Sequence, residues 1–235
     1  MPLFEVLLPI THTFHWELKP FFYLFRKFWN KREVVTILSD VDPRIPKTRY
    51  IPIRDDIDFD WAGKFSNNLY QYLNNDYLAD YVIILMADYW LTDYVSIKDL
   101  RTSTRFMMSN QHVIRLQISN GMNSGDSQLV QTRDNIEIRE RPMFFRGSLI
   151  PGLWSRRLLL KYLRGNLDMW GFEQVLSKDI ESSPEIKSYL IMPEIIKYAH
   201  VAKTSTGVVD FRDFPLELRE KIRGFIPING FTIYE

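Results

Sequence analysis

The stretch Asp80-Tyr81-Val82-Ile83-Ile84-Leu85-Met86-Ala87-Asp88-Tyr89-Trp90-Leu91-Thr92-Asp93 constrains the fold more than any other part of the chain. A run of β-branched and large apolar residues that stops at a carboxylate is the pattern of a central strand delivering an acid to the edge of a sheet. Periodicity alone also admits a buried helical segment, but the Val82-Ile83-Ile84 content and the flanking acids favour a strand. Ligands of open α/β sheets gather at the carboxyl ends of the strands, so Asp88 stands where chemistry is expected.

The segments around this stretch alternate between strand and helix patterns. Phe4 to Ile10 reads as a buried strand that ends at the polar turn Thr11-His12-Thr13. From Trp16 to Trp29, residues Leu18, Phe21, Phe22, Phe25, Phe28 and Trp29 recur at three- and four-residue spacings. This is an amphipathic helix, with Pro20 tolerable only in its first turn. Glu33 to Leu38 is a second strand, closing on Ser39-Asp40, so the chain opens with a βαβ unit. Val41 to Asp60 holds three prolines and reads as an irregular connection. A helix over about Trp61 to Asn75 follows, with Asp58 or Asp60 as its cap.

After the Asp80 strand, Ser96 to Arg105 reads as a short helix and His112 to Ile118 as a strand carrying Arg115 in its middle. Asn120 to Asp134 is polar and Gly-containing and reads as a surface loop. Met143 to Trp154 is a strand pair or a kinked strand, and Ser155 caps a helix through Arg164. A second helix starts near Trp170 or Gly171 and runs to about Lys178. Tyr189 to Val201 is extended but interrupted by Pro193. Leu216 to Arg223 is a short helix between Pro215 and Gly224.

Composition narrows the function classes. The 235 residues, 46% of them hydrophobic, suffice for one α/β domain with a sizeable core. Thirty basic against 29 acidic residues give a net charge of +1, too little for a general polyanion binder. The absence of cysteine removes disulfides, thiolate nucleophiles and cysteine zinc sites, and four histidines limit any histidine-rich metal site. The start lacks the basic region of a signal peptide and nothing reaches the length of a membrane span, so a soluble, cytoplasmic protein is expected.

The order of elements and two local strings resemble the GT-A class of nucleotide-sugar glycosyltransferases, especially small viral and bacterial members. The strings are Val82-Ile83-Ile84-Leu85-Met86-Ala87-Asp88-Tyr89-Trp90-Leu91-Thr92, and Ser148-Leu149-Ile150-Pro151-Gly152-Leu153-Trp154 with the later Trp170-Gly171-Phe172-Glu173. The resemblance spans roughly residues 4–207. It implies a single domain with a Rossmann-like, mixed but mainly parallel sheet flanked by helices. Residues 1–95 would form the nucleotide-binding half, and 96–235 the acceptor-binding half and tail. The implied activity is transfer of a sugar from a nucleoside diphosphate, UDP by analogy, to a hydroxyl of a glycan, lipid-linked sugar, protein or modified DNA base.

The same resemblance assigns roles. Asp88 matches the acid that holds a divalent metal, Mn²⁺ or Mg²⁺, against the diphosphate, and Asp93 is a further carboxylate nearby. Ala87 departs from the pattern, because relatives commonly carry a second acid there. That puts the strength of the metal requirement in doubt. Glu173 matches the acid that faces the acceptor and serves as the base of an inverting transfer, with Asp168 as runner-up. Ile10, Thr11, His12 and Asp40 would approach the nucleotide, Arg115 a phosphate, and Trp154 and Trp170 the acceptor. His200 would be a late metal ligand.

Each of these residues also has a purely structural reading. Asp88 can be a turn residue, Glu173 a helix-dipole partner, His12 and Asp40 turn residues, Arg115 a member of an ion pair, the tryptophans core, and His200 a satisfied polar group. Two other functions stay open: an inactive nucleotide-binding module of the same fold, and a nucleotidyltransferase. The second is disfavoured because Pro9-Ile10-Thr11-His12 contains no glycine to cradle a phosphate.

Overall fold

Nine strands form one sheet, and the chain winds helices onto both of its faces. The computed structural model describes residues 3–29, 33–53, 65–74, 78–119, 127–140, 146–163, 165–200, 202–203, 208–227 and 232–234. In chain order, β1 (Glu5–Pro9) leads through a 3₁₀ turn (His12–Glu17) into α1 (Leu18–Phe28), β2 (Val35–Ser39) and β3 (Thr48–Pro52). Then come α2 (Phe65–Leu73), β4 (Tyr81–Ile84), β5 (Tyr89–Leu91), α3 (Ile97–Ser109) and β6 (Val113–Gln117). The hairpin β7 (Gln128–Arg133) and β8 (Ile136–Glu140) precedes β9 (Gly152–Ser155), α4 (Arg156–Tyr162) and α5 (Met169–Ser182). The chain closes with β10 (Lys187–Met192), β11 (Tyr198–His200), β12 (Ala202–Lys203), β13 (Val208–Asp210), α6 (Leu216–Arg223) and β14 (Thr232–Tyr234).

The large sheet has the order β3-β2-β1-β4-β9-β6-β10-β8-β7. β3, β2, β1 and β4 are mutually parallel, β9 enters antiparallel between β4 and β6, and β6 and β10 are again parallel. Strand residues alternate between two apolar clusters, as a pleated strand covered on both faces requires. Val6, Leu8, Val35, Ile37, Ile83 and Leu153 pack with α1 and α3 on one face. Leu7, Leu38, Val82, Ile84, Ile114 and Trp154 pack with α2, α4 and α5 on the other. The result is a single mixed α/β domain.

The Asp80–Asp93 stretch is not one strand. β4 stops at Ile84, although the Leu85 amide still donates to Leu7 O at 2.9 Å. The next rung of a parallel ladder would need an amide proton from Pro9, which has none. The chain therefore turns through Met86–Asp88 and starts β5, which pairs antiparallel with β11 in a separate two-stranded sheet.

Other expectations change in kind as well. β3 lies inside the supposed irregular connection, as a half-exposed edge strand between Pro46 and Pro52. The expected loop 120–134 contains β7, a mostly solvent-exposed edge strand that turns back at Asp134 (φ 54°). The aromatic helix is preceded by the 3₁₀ turn, and α3 and α5 run to Ser109 and Ser182, past their expected ends. The extended segment 189–201 breaks at the cis Met192–Pro193 peptide into β10 and β11. Residues 61–64 and 75, the caps Asp58 and Asp60, residues 143–145, Arg164 and Val201 lie outside the described residues. No helix among the described residues is long and apolar enough to cross a membrane.

Candidate functional site

The parallel strands β2, β1 and β4 end along one edge of the sheet, and two polar pairs stand there. The first joins neighbouring strand ends. Past β1, the His12 amide donates to Asp40 Oδ1 at 2.8 Å, and His12 Nδ1 meets the second oxygen of the same carboxylate. Ser39 Oγ donates to Asp40 Oδ1 at 3.1 Å, which leaves Ser39 to accept from His15 Nε2 at 2.9 Å. Burial pushes the Asp40 carboxyl upward, but the hydrogen bonds from His12 and Ser39 outweigh it and hold it below its usual range. His15 is lowered by burial, against the pull of Asp40, and favours the neutral ring. Ile10 is buried with its amide on Leu38 O, and Thr11 Oγ1 contacts Thr13 Oγ1 at 2.6 Å.

The second pair follows β4. Asp88 occupies the turn before β5, and the β5–β11 register sets His200 opposite Tyr89. His200 Nε2 lies 2.6 Å from Asp88 Oδ2, joining residues 112 positions apart in the chain. The Tyr89 ring meets His200 edge-on at 5.4 Å and leans on Tyr198 at 4.5 Å. Ala87 points into the apolar core, and its carbonyl accepts from Trp90 Nε1 at 2.9 Å. A carboxylate at position 87 would be buried there without solvent, which gives the departure from the GT-A motif a packing reason. Asp93 is drawn away to the surface, where Lys197 Nζ donates to it at 2.7 Å.

Glu17 is the member that sequence reasoning missed. It is 4% exposed at the end of the 3₁₀ turn, and burial, with the negative charge of Asp88 as second cause, pushes its carboxyl up to about 9. At neutral pH it is therefore an uncharged acid beside Asp88. The one signal in the sequence was a lone carboxylate between Thr11 and Asn30, amid aromatic residues. Because His12 and His15 lean on Asp40 while Glu17 feels Asp88, this single turn bridges the two polar pairs.

The pH dependence has a definite sign. Unfolded, Glu17 ionises near 4.5; folded, near 9. Between those values the folded protein holds one proton more than the unfolded chain, so this group's contribution to stability is lost as pH rises, by about 1.4 kcal/mol per unit. Glu17→Gln removes that slope. Urea denaturation at pH 5.5 and 8.5 is expected to show wild type losing about 2–4 kcal/mol more than the variant across the interval. Parallel losses would mean that Glu17 is ionised in the folded protein.

Glu173 reaches the same region from the other face of the sheet. Asp168 caps α5 by accepting from the Gly171 amide at 2.6 Å, and Glu173 follows in the helix's second turn. The Leu149 amide donates to Glu173 Oε1, and the Gly147 amide to Ser177 Oγ at 2.9 Å, so the loop before β9 is laced to α5. The approach is close enough that a Cβ on Gly147 would meet the Ser177 amide nitrogen at 2.8 Å. Burial first, then the negative charges of Asp88, Tyr198 and Glu173, push the Tyr89 phenol upward, while Arg115 pulls it down. Tyr89 thus lies within electrostatic reach of both Asp88 and Glu173.

Arg115 and Trp154 have different work from that expected. Both are fully buried, the guanidinium 5.0 Å from the indole ring centre. Arg115 Nη2 donates to Ile150 O at 2.8 Å and Ser148 Oγ at 3.4 Å, and Nη1 to Gln117 Oε1 at 3.3 Å. Arg115 therefore fixes the loop that holds Glu173 and does not reach outward to a phosphate. Trp154 presents no open face to an acceptor. Trp170, 72% exposed on the first turn of α5, does.

The resemblance to the GT-A class implies a divalent cation, and the donor set can be tested for it. Asp88 offers a hard carboxylate oxygen and His200 an imidazole nitrogen, both partly open to solvent. The pair fits a cation that takes its remaining ligands from water and phosphate. No group of three or more metal-binding side chains occurs among the described residues.

No protein-family model and no curated protein matches the sequence. Among solved structures, the chain is similar to residues 1–349 of TarS from S. aureus, a glycosyltransferase, with a TM-score of 0.52 at 13% identity. The match covers 97% of this chain and 66% of that one. At that identity the likeness is one of fold, and the chain has the GT-A-like architecture of a mixed sheet flanked by helices.

Proposed function

We propose that the chain is a glycosyltransferase that moves a sugar from a nucleoside diphosphate to a hydroxyl acceptor with inversion. The observation that carries this reading is the Asp88–His200 pair at the end of β4, beside the strand ends where β1 and β2 finish in His12 and Asp40, with Glu173 held by the Leu149 amide and within electrostatic reach of Tyr89. In this reading residues 1–95 bind the nucleotide, with Thr11, His12 and Asp40 at base and ribose, and 96–235 bind the acceptor, with Trp170 and Asp168 at its entrance.

Asp88 and His200 would hold Mn²⁺ or Mg²⁺, which when bound neutralises charge on the departing diphosphate. Glu173 takes the proton of the acceptor hydroxyl while that oxygen attacks the anomeric carbon from the face opposite the diphosphate. The new glycosidic bond forms as the carbon–oxygen bond to the diphosphate breaks. The bond from Leu149 fixes the direction of the Glu173 carboxylate. Glu17, neutral at pH 7, adds no charge against the diphosphate. UDP is our choice of carrier by analogy with the GT-A class.

A second reading, an inactive nucleotide-binding module, is favoured by one observation: Ala87 stands in the core where enzymes of the GT-A class commonly carry a second acid. A thermal-shift screen against nucleoside diphosphates and nucleotide sugars, with and without Mn²⁺, separates the readings, because a ligand of the folded state raises the melting temperature. Transfer requires a metal-dependent rise with one nucleotide sugar. A rise with the bare nucleotide alone, indifferent to metal, supports the module, and no rise with any nucleotide contradicts both.

A further inference from the structure

A groove of about 1020 Å³ runs along the outer side of α1, away from the residues assigned to sugar transfer. Its floor is apolar: Phe22 and Tyr23 from α1, Ile45 from the connection after β2, and Phe225 after α6, whose ring is 5.7 Å from that of Tyr23. Tyr94, 70% exposed, also lines it. Four cations rim it, Lys19, Arg26, Lys27 and Arg44, and among the described residues no carboxylate lines it. In a chain with a net charge of +1, this concentration leaves the remainder net negative.

The rim is not accounted for by internal pairing. None of the four cations pairs with a carboxylate of the described residues. Arg26 donates to Pro46 O at 2.5 Å and lies 5.6 Å from the Phe22 ring, and Lys27 lies 5.2 Å from the Phe28 ring. Arg26 and Lys27 suit the negative end of the helix. Lys19 sits in the first turn, at the positive end, where the helix itself disfavours a cation.

We propose that this groove docks an acidic, amphipathic segment of a partner protein, apolar side chains on the Phe22–Tyr23 floor and carboxylates on the rim. The placement of charge selects this occupant over a lipid. Lys19 and the Arg26–Lys27 pair stand about 10–12 Å apart along the helix, and Arg44 comes from the connection after β2. An anionic lipid carries its charge at one end only, whereas a helix with apolar anchors at i, i+4 and i+7 carries acids at both. The proposal is independent of the sugar-transfer reading.

The test uses a fluorescent synthetic peptide with leucines at i, i+4 and i+7 and glutamates at both ends, its lysine-for-glutamate counterpart, and phosphatidylglycerol vesicles. Fluorescence anisotropy is expected to show salt-sensitive binding of the acidic peptide, at least about tenfold weaker to the Lys19→Glu, Arg26→Glu, Arg44→Glu triple variant, and a reversed preference for the basic peptide. Tyr23→Ser, with the rim intact, is expected to weaken the acidic peptide several-fold. Lys19 and Arg44 are exposed and Arg26 and Tyr23 half-buried, so a thermal melt of each variant checks that it is folded. Equal binding to wild type and triple variant, no binding of the acidic peptide, or vesicle binding that the peptide does not displace would each overturn the proposal.

Discussion

Asp88→Asn is expected to lower sugar transfer by 10³-fold or more while leaving the protein folded. Asparagine keeps the side-chain volume and an oxygen for His200 Nε2, 2.6 Å away, so the β5–β11 junction retains its hydrogen bond. What is lost is the negative charge. A carboxylate that holds a cation against a leaving diphosphate is worth several kcal/mol in the transition state, and each 1.4 kcal/mol is a factor of ten in rate. Donor binding should lose its metal dependence in the same variant. Initial rates measured over a range of Mn²⁺ concentrations check this, and a variant that transfers at the wild-type rate would remove Asp88 from the chemistry.

Glu173→Gln is expected to act on a different step. Glutamine keeps Oε1 as acceptor for the Leu149 amide, so the lacing of α5 to the loop before β9 survives. It cannot accept a proton. Loss of a general base costs about 10²–10⁴ in kcat. The KM for the donor and the melting temperature should stay close to wild type, because neither depends on proton transfer. A merely structural Glu173 gives the opposite pattern: full activity in Gln, and loss with lowered stability in Glu173→Ala.

How much of this was legible in the sequence depended on whether the decisive interaction was local. α6 was legible to the residue, because Pro215 and Gly224 bracket it. β1, β2 and β6 were legible from apolar runs, and α1 from its aromatic stripe. The edge strands β3 and β7 were not, since a strand half or fully exposed to solvent has no apolar alternation to display. The break within Asp80–Asp93 was invisible for another reason: its cause, Pro9, sits on the neighbouring strand, more than seventy residues earlier.

The candidate site divides the same way. That acids and histidines stand at strand ends could be read locally. Which of them meet could not. Asp88 and His200 come together only through the pairing of β5 with β11, and Glu17 gains its neutral state only from burial and from Asp88 across the fold. Arg115 and Trp154, which looked like a phosphate contact and a sugar platform, face each other inside the sheet; an isolated sequence position does not show which side of a central strand is covered.

The most direct measurement is calorimetric titration of a UDP-sugar panel into wild type, Asp88→Asn and Glu173→Gln, each with and without Mn²⁺. The expected result is one donor that binds wild type and Glu173→Gln alike in the presence of metal, and binds Asp88→Asn weakly and without metal dependence. Binding that is indifferent to metal in all three proteins, or no binding of any donor, would contradict a nucleotide-sugar site built on Asp88.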